Sequence, residues 1–146
     1  MVALGYGTAA AVPQAAARHT VSPNPCTAQD HLLTIAVTTD AKNVAVGDRL
    51  WDSHARFVRS THQSFLVAYG LAKGPERADP LDPASALTGR TVYVLNECYR
   101  TSADISKHWK ITSTRWPEFQ AVLDWMHTPG TQVVTLHDGQ VRNSLW

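Results

Sequence analysis

Polar and apolar residues alternate along residues 91–99, TVYVLNECY, and this alternation predicts a β-strand. Because successive side chains of a strand point to opposite faces, one face combines apolar residues with a carboxylate. The residues on that face are Tyr93, Leu95, Glu97 and Tyr99. A helix is predicted to begin at Thr101 or Ser102, and it carries His108 and Trp109. The strand and the helix therefore bring a carboxylate, a phenol, an imidazole and an indole close together.

The same reading of the hydrophobic pattern predicts further strands and helices on both sides of this segment. β-Branched runs predict strands at 31–39, 65–72 and 132–136, and apolar residues at helical spacing predict helices at 46–62 and 118–127. The Asp-Gly pair at 138–139 is a hairpin signal and predicts a short fifth strand over 141–146. Residues 73–90 are polar and contain three prolines, which predicts a long loop that closes over a pocket.

The order of these elements predicts an α+β fold. Two β-α-β halves in tandem describe a ferredoxin-like βαββαβ domain, with an antiparallel sheet and its helices on one face. The other face of such a sheet needs a cover, and a second copy of the chain would supply it. We therefore expect a homodimer that forms a dimeric α+β barrel from residues 31–146. Residues 1–30, rich in Ala and Pro, are predicted to be an N-terminal extension.

Composition narrows the class of protein further. The chain has 146 residues, 44% of them hydrophobic, and a net charge of +1 with scattered Lys and Arg, which argues against nucleic acid as a partner. No apolar run approaches the roughly 20 residues of a membrane span. Cys26 and Cys98 match no metal spacing, so two free thiols in a cytoplasmic protein are expected, with a disulfide as the alternative. A secretory signal peptide is the minority interpretation of the N-terminus.

The segment 97–119 carries a resemblance to a known family. Glu97-Cys-Tyr99, then Ser102-Ala-Asp-Ile105, His108 and Trp116-Pro-Glu-Phe119, resembles the signature of antibiotic-biosynthesis-monooxygenase-like proteins of the dimeric α+β barrel superfamily. The motif covers 97–119, and the order of elements matches over roughly 31–136. The sequence departs from the family in its longer 73–90 connection and in its first thirty residues, which have no counterpart in compact members.

The resemblance implies a small-molecule tailoring enzyme. The chemistry it favours is cofactor-independent oxygenation of an aromatic or polyketide-like substrate, in which a base removes a proton and the electron-rich product reacts with dioxygen. A cyclase or isomerase would begin with the same enolisation. The resemblance also allows a haem-binding or haem-degrading protein and a non-catalytic dimeric binding module, because the superfamily contains both.

Three residues are the candidates for catalysis, and each has a structural alternative. His108 is the predicted base, because an imidazole titrates near neutral pH, and Glu97 would support it. The structural alternative is that His108 and Glu97 form a hydrogen bond that only stabilises the fold. His54 lies on the apolar face of the first helix, where a histidine is more often a satisfied core residue. The candidates for lining a flat substrate's pocket are Tyr99, Tyr69, Tyr93, Trp51 and Trp109, although aromatic residues on such faces are most often core.

The sequence predicts neither a nucleotide cofactor nor a metal. The glycine-rich fingerprints of nucleotide-binding folds are absent from the sequence, so no flavin or nicotinamide is implied. His54 and His62 are eight residues apart, too far for one metal by themselves, and no HExxH spacing occurs. We therefore expect no metal, and we expect haem only if the protein is a haem-binding or haem-degrading member of the superfamily.

Overall fold

The computed structural model describes residues 26–144 as four strands and three α-helices. In chain order they are β1 (His31–Thr39), α1 (Val44–Thr61), β2 (Leu66–Arg77), β3 (Leu87–Tyr99), α2 (Ser102–Arg115), α3 (Phe119–Met126) and β4 (Thr131–Gln140), with a 3-10 turn (Ala41–Asn43) before α1. The predicted extension 1–30 lies mostly outside the described residues, as does Trp146.

The strands form one antiparallel sheet in the order β2-β3-β1-β4. This is the strand order of a ferredoxin-like split βαβ arrangement, so the predicted fold class is confirmed at that level. The central strands β1 and β3 pair over their full common length, from His31 opposite Tyr99 to Thr39 opposite Thr91. β3 is therefore flanked on both sides, and its side chains are fixed by two ladders of hydrogen bonds.

One face of the sheet forms the core. Alternation along β1 and β3 places their inward side chains under the helices, where each is at most 8% exposed. These residues are Leu33, Ile35, Val37, Tyr93, Leu95, Glu97 and Tyr99. α1 closes against α3 at Gly47, where an added Cβ would lie 2.4 Å from the Trp125 ring. Glycine has a low helix propensity, but at position 47 its missing side chain allows the two helices to approach this closely.

Within residues 26–144, no helix lies on the opposite face of the sheet. Ala36 of β1 pairs with Val94 of β3 and Val134 of β4, and Val94 pairs in turn with Ala72 of β2. Because directly opposed residues in an antiparallel sheet share a face, these four form an apolar row across all four strands. Val134 is 72% exposed.

Two predicted features of the second half are wrong. Half of residues 73–90 are strand, because β2 continues to Arg77 and β3 begins at Leu87, which leaves a hairpin tip at 78–86. The tip is held by its own contacts, including Arg77 Nη1 to the Ser85 carbonyl at 2.6 Å. Val141–Ser144 form no strand; the Asp-Gly pair lies inside β4, and Val141 exchanges hydrogen bonds with Gln29 and Asp30 instead.

The prediction of two free thiols is also wrong, because Cys26 and Cys98 form a disulfide. Cys98 is on β3 and its side chain is on the face opposite Glu97, so the bond ties the start of the described chain to the open side of the sheet. Asp30 reinforces this junction by accepting from Arg100 Nη1 and from the Thr27 backbone, both at 2.7 Å.

Among residues 26–144, no helix is both long enough and apolar enough to cross a membrane.

Candidate active site

Three elements bring the predicted catalytic residues together beneath the helices. Glu97 is the second inward residue of β3 after Tyr93, His54 lies on the buried face of α1, and His108 lies on the buried face of α2. Thr101 begins α2 by accepting a hydrogen bond from the Asp104 backbone amide, which sets the helix phase that turns His108 inward. All three side chains are at most 4% exposed.

Glu97 is the centre of this group. Its Oε2 atom accepts a hydrogen bond from the Tyr99 hydroxyl at 2.6 Å and lies 3.3 Å from Nδ1 of His108. Its Oε1 atom lies 3.9 Å from Nε2 of His54. The other nitrogen of His54, Nδ1, is 3.3 Å from the hydroxyl of Tyr69, which is opposite Glu97 on β2.

A third histidine completes the cluster. His62 follows the last residue of α1 and is fully buried, and its Nε2 atom lies 3.0 Å from Nδ1 of His108. Its Nδ1 atom lies 2.6 Å from the Thr61 hydroxyl. Three imidazoles and one carboxyl group are therefore joined in one buried network.

The environment holds the three imidazoles neutral. Burial, followed by the effect of the neighbouring imidazoles of His54 and His62, lowers the pKa of His108 to about 3. Burial, followed by the effect of His62, lowers the pKa of His54 to about 4. Burial and then the charge of Lys107 lower the pKa of His62 to about 4. Near neutral pH each ring therefore keeps one nitrogen with a free lone pair.

Glu97 is shifted in the other direction. Burial raises its pKa to about 7, against the hydrogen bond from Tyr99, which lowers it. Burial together with the nearby carboxylate raises the pKa of both Tyr69 and Tyr99 above the ordinary value for a phenol. The phenols therefore remain protonated donors, while Glu97 exchanges its proton close to neutral pH.

An apolar cavity of about 40 Å³ lies beside the imidazoles and is partly open to solvent. Its wall comes from β1, α1, β3, α2, α3 and the turn at Trp116, and residues 73–90 contribute nothing to it, so the predicted closure by that segment is wrong. The residues that matter for its chemistry are Trp51, His54, His108, Trp109, Thr112 and Trp116.

Two buried polar atoms without partners lie at this cavity, and a third lies next to one of its histidines. In the described part of the chain, the fully buried side-chain atoms that make no hydrogen bond are Nε1 of Trp51, Oε1 of Glu97 and Oγ1 of Thr112. Trp51 and Thr112 line the cavity, and Glu97 contacts two of its histidines. An unpaired buried polar group costs roughly 1–3 kcal/mol, so three at one place require an explanation beyond stability.

The predicted aromatic residues divide into three groups. Trp51 and Trp109 line the cavity. Tyr99 and Tyr69 lie behind it and hold Glu97 and His54 by hydrogen bonds. Tyr93 is elsewhere: its hydroxyl donates to Asp48 at 2.8 Å, and its ring packs edge-on against Trp125.

Sequence reasoning passed over three residues of the site. The sequence analysis gives His62 and Thr112 no role in the site and names Trp116 only as part of the family motif, although its ring centroid lies 5.0 Å from that of His54. The spacing of His54 and His62 at either end of two helical turns was the available signal for His62. Thr112 carries no signal in the sequence, because its importance lies in an unpaired hydroxyl.

A cation could be held by atoms of His54, Glu97 and His108, since one ligand atom from each lies within 4.8 Å of the others. However, Nδ1 of His108 is already hydrogen-bonded to His62, and Oε2 of Glu97 to Tyr99. A metal bound through either atom would have to break one of these bonds. The absence of a metal stays a prediction.

No protein-family model matches the sequence, and a search of curated proteins finds no significant match. The class of protein that fold and site define is a ferredoxin-like α+β domain with a buried carboxyl–imidazole cluster. Membership of the antibiotic-biosynthesis-monooxygenase-like family stays a prediction.

Proposed function

We propose that this protein is a small-molecule tailoring enzyme that removes a proton from an aromatic or polyketide-like substrate and so prepares it for reaction with dioxygen. The observation that carries the proposal is one cavity lined by two unpaired buried polar atoms, of Trp51 and Thr112, and by the neutral imidazoles of His54 and His108, with the unpaired Oε1 atom of Glu97 next to His54. A bound substrate with oxygen substituents would supply the missing partners of Trp51 and Thr112. Such groups are retained at functional sites at a cost in stability.

His108 is the proposed base and Glu97 its support. A neutral imidazole at the cavity wall accepts a phenolic or enolic proton, and the adjacent carboxylate stabilises the imidazolium that forms. A carboxyl group whose pKa is about 7 can also return a proton to the substrate at neutral pH. His54, whose ring is also neutral, lies on the other oxygen of Glu97 and orients it.

The unpaired donors define how the substrate would lie. The indole N–H of Trp51 can only donate a hydrogen bond, so it would bind a phenolate or enolate oxygen. The Thr112 hydroxyl would bind a second oxygen substituent. Both contacts strengthen as negative charge develops on the substrate, which is the condition for accelerating its deprotonation.

The volume of the cavity limits the size of the molecule that can bind without a change in the structure. About 40 Å³ is room for dioxygen or a few water molecules, whereas a cavity of about 150 Å³ is needed to admit benzene. A flat substrate therefore requires α2 and α3 to separate, and haem would require a far larger opening. This favours a cofactor-independent oxygenase over a haem protein.

The partner we propose is a second copy of the chain. The apolar row Ala72, Val94, Ala36 and Val134 crosses the open face of the sheet. Two such faces packed together would bury this row and form a dimeric α+β barrel, the assembly that the family resemblance implies. The same arrangement would leave both helical faces, and both cavities, free.

The Cys26–Cys98 disulfide bears on where the protein is located. The sequence predicts the cytoplasm, but a disulfide such as Cys26–Cys98 is typical of oxidising compartments. The bond therefore favours a location outside the reducing cytoplasm.

Oxygen uptake tests the proposed reaction. Anthrone is a suitable probe, because loss of one proton gives an electron-rich anion that combines with O2 to yield anthraquinone and water. We expect the full-length protein to accelerate this uptake in the presence of EDTA, and Glu97→Gln and His108→Gln to reduce the rate about 100-fold or more. No acceleration by the unmutated protein would remove the oxygenase and would leave the non-catalytic binding module as the better account. Uptake that both variants retain would remove the proposed roles of Glu97 and His108.

A further inference from the structure

A chain of hydrogen-bonded side chains leads from the end of α1 to the cavity. The Thr61 hydroxyl lies 2.6 Å from Nδ1 of His62, and Nε2 of His62 lies 3.0 Å from Nδ1 of His108. Thr61 is partly exposed to solvent, His62 is fully buried, and His108 is a wall residue of the cavity. Each contact needs one donor and one acceptor, so the chain has a direction that can be worked out.

The contact between His108 and Glu97 indicates which atom donates in the hydrogen bond between His108 and His62. Nδ1 of His108 faces two atoms, Nε2 of His62 and Oε2 of Glu97, the latter at 3.3 Å. When Glu97 is ionised, its oxygen atoms only accept hydrogen bonds, and a lone pair on Nδ1 of His108 would be repelled by them. Nδ1 of the neutral His108 ring therefore carries the proton, and Nε2 of His62 accepts it.

The end at α1 gives the same direction independently. The Thr61 hydroxyl lies 2.7 Å from the Phe57 carbonyl oxygen, which can only accept, so the single hydroxyl proton points there. Oγ1 of Thr61 must then accept from Nδ1 of His62, which leaves Nε2 of His62 without a proton. Ser60 also donates to the Phe57 carbonyl, but its hydroxyl is exposed and free to turn to water.

We propose that His62 is a positioning residue that holds His108 in its Nδ1–H tautomer and so makes Nε2 of His108 the proton acceptor at the cavity. The inference deepens the proposed function and rests on it for its catalytic meaning. In the described part of the chain, Nε2 of His108 makes no hydrogen bond, and it is the ring nitrogen left for a substrate proton.

His62 also provides a route by which a proton taken from the substrate is released to solvent. When Nε2 of His108 accepts a proton from the substrate, the Nδ1 proton of His108 can move to Nε2 of His62. The Nδ1 proton of His62 then moves to the Thr61 hydroxyl, which releases one proton to solvent. The substrate loses one proton, the solvent gains one, and both imidazoles end neutral.

The tautomers are observable without a substrate. Long-range ¹H–¹⁵N correlation spectra of the ¹⁵N-labelled full-length protein at pH 7 distinguish protonated from unprotonated ring nitrogens, and single His variants assign the signals among the seven histidines. We expect His62 and His108 both to carry their proton on Nδ1. His62→Gln can place a carbonyl oxygen near the position of Nε2, so His108 should keep this tautomer. His62→Leu offers no acceptor, and His108 should become a mixture.

An Nε2–H tautomer of His108 in the unmutated protein would overturn the inference, as would a His108 signal that His62→Leu leaves unchanged. The unmutated spectrum decides the first point even if a variant fails to fold. Failure of the proposed function looks different: the tautomers would be as described, but anthrone oxidation would not depend on His108 or Glu97. If oxidation depends on both while His108 carries its proton on Nε2, the function stands and the role of His62 falls.

Discussion

The Nδ1 atom of His108 lies 3.3 Å from the Oε2 atom of Glu97, and neither side chain is more than 3% exposed. Burial shifts the two pKa values in opposite directions, to about 7 for Glu97 and about 3 for His108, so both neutral forms are favoured. The pair is therefore two groups whose neutral forms are favoured rather than a structural ion pair. Its stability and its chemistry can be tested separately.

The pH dependence of stability should report the buried carboxyl of Glu97. Its pKa rises from 4.5 in the unfolded chain to about 7 in the folded protein, so folding binds a proton between these values. The stabilisation is fully present below pH 4.5 and is lost as the pH rises towards 7, by roughly 3 kcal/mol. Urea unfolding at a series of pH values measures it.

Glu97→Gln is the matched control for that experiment, because an amide can still accept from Tyr99 but does not titrate. The histidines have lowered pKa values, so their contribution to stability changes with pH in the opposite direction. The quantity to compare at each pH is therefore the difference in the free energy of unfolding between the unmutated protein and Glu97→Gln. A difference that stays constant from pH 4.5 to 7 would mean that Glu97 is not desolvated in the folded protein.

Removing the unpaired hydroxyl of Thr112 should stabilise the fold and weaken ligand binding. Thr112→Val keeps the shape of the side chain and eliminates a buried polar group without a partner, so we expect a gain of about 1 kcal/mol in the free energy of unfolding. Anthrone affinity should fall in the same variant. Thr114→Val, on the same helix, removes a hydroxyl already bonded to the Lys110 carbonyl and should give no such gain. Equal effects from both variants would argue against a ligand-binding role for Thr112.

The Cys26–Cys98 disulfide should make a large contribution to stability. It closes a loop spanning 72 residues, for which the chain-entropy estimate is about 4 kcal/mol. Cys26→Ser, or treatment with a reductant, should therefore lower the free energy of unfolding by an amount of that order. Alkylation of both cysteines in the folded, unreduced protein would contradict the bond.

The open sheet face should carry a dimer contact. Light scattering of the full-length protein at micromolar concentration should give twice the monomer mass, and Val134→Lys should reduce it to the monomer, because it places a charge in the apolar row. Leu81→Lys is the matched control, since Leu81 is 91% exposed and lies in the hairpin tip, outside the strands that carry the row. A monomer mass for the unmutated protein would exclude the barrel.

The sequence predicted the sheet and the meeting of Glu97 with His108, because both follow from local periodicity and element order. It did not predict the long β2–β3 hairpin: Gly74 and Pro75 discourage a strand locally, but pairing with β3 outweighs that preference. The disulfide depends on where Asp30 and Arg100 anchor the chain before β1, and the role of His62 depends on an inter-helix contact with His108. The disulfide has no periodic signal, and the helical spacing of His54 and His62 does not indicate the contact with His108.

Proton abstraction is the central claim, and it precedes oxygenation, cyclisation and isomerisation alike. Its most direct measurement is anaerobic exchange of the acidic C–H protons of anthrone with D2O, followed by NMR. The unmutated protein should accelerate exchange over buffer, and His108→Gln should lose about 100-fold or more of that acceleration while remaining folded. Exchange no faster than in buffer, or exchange that His108→Gln retains in full, would contradict the account.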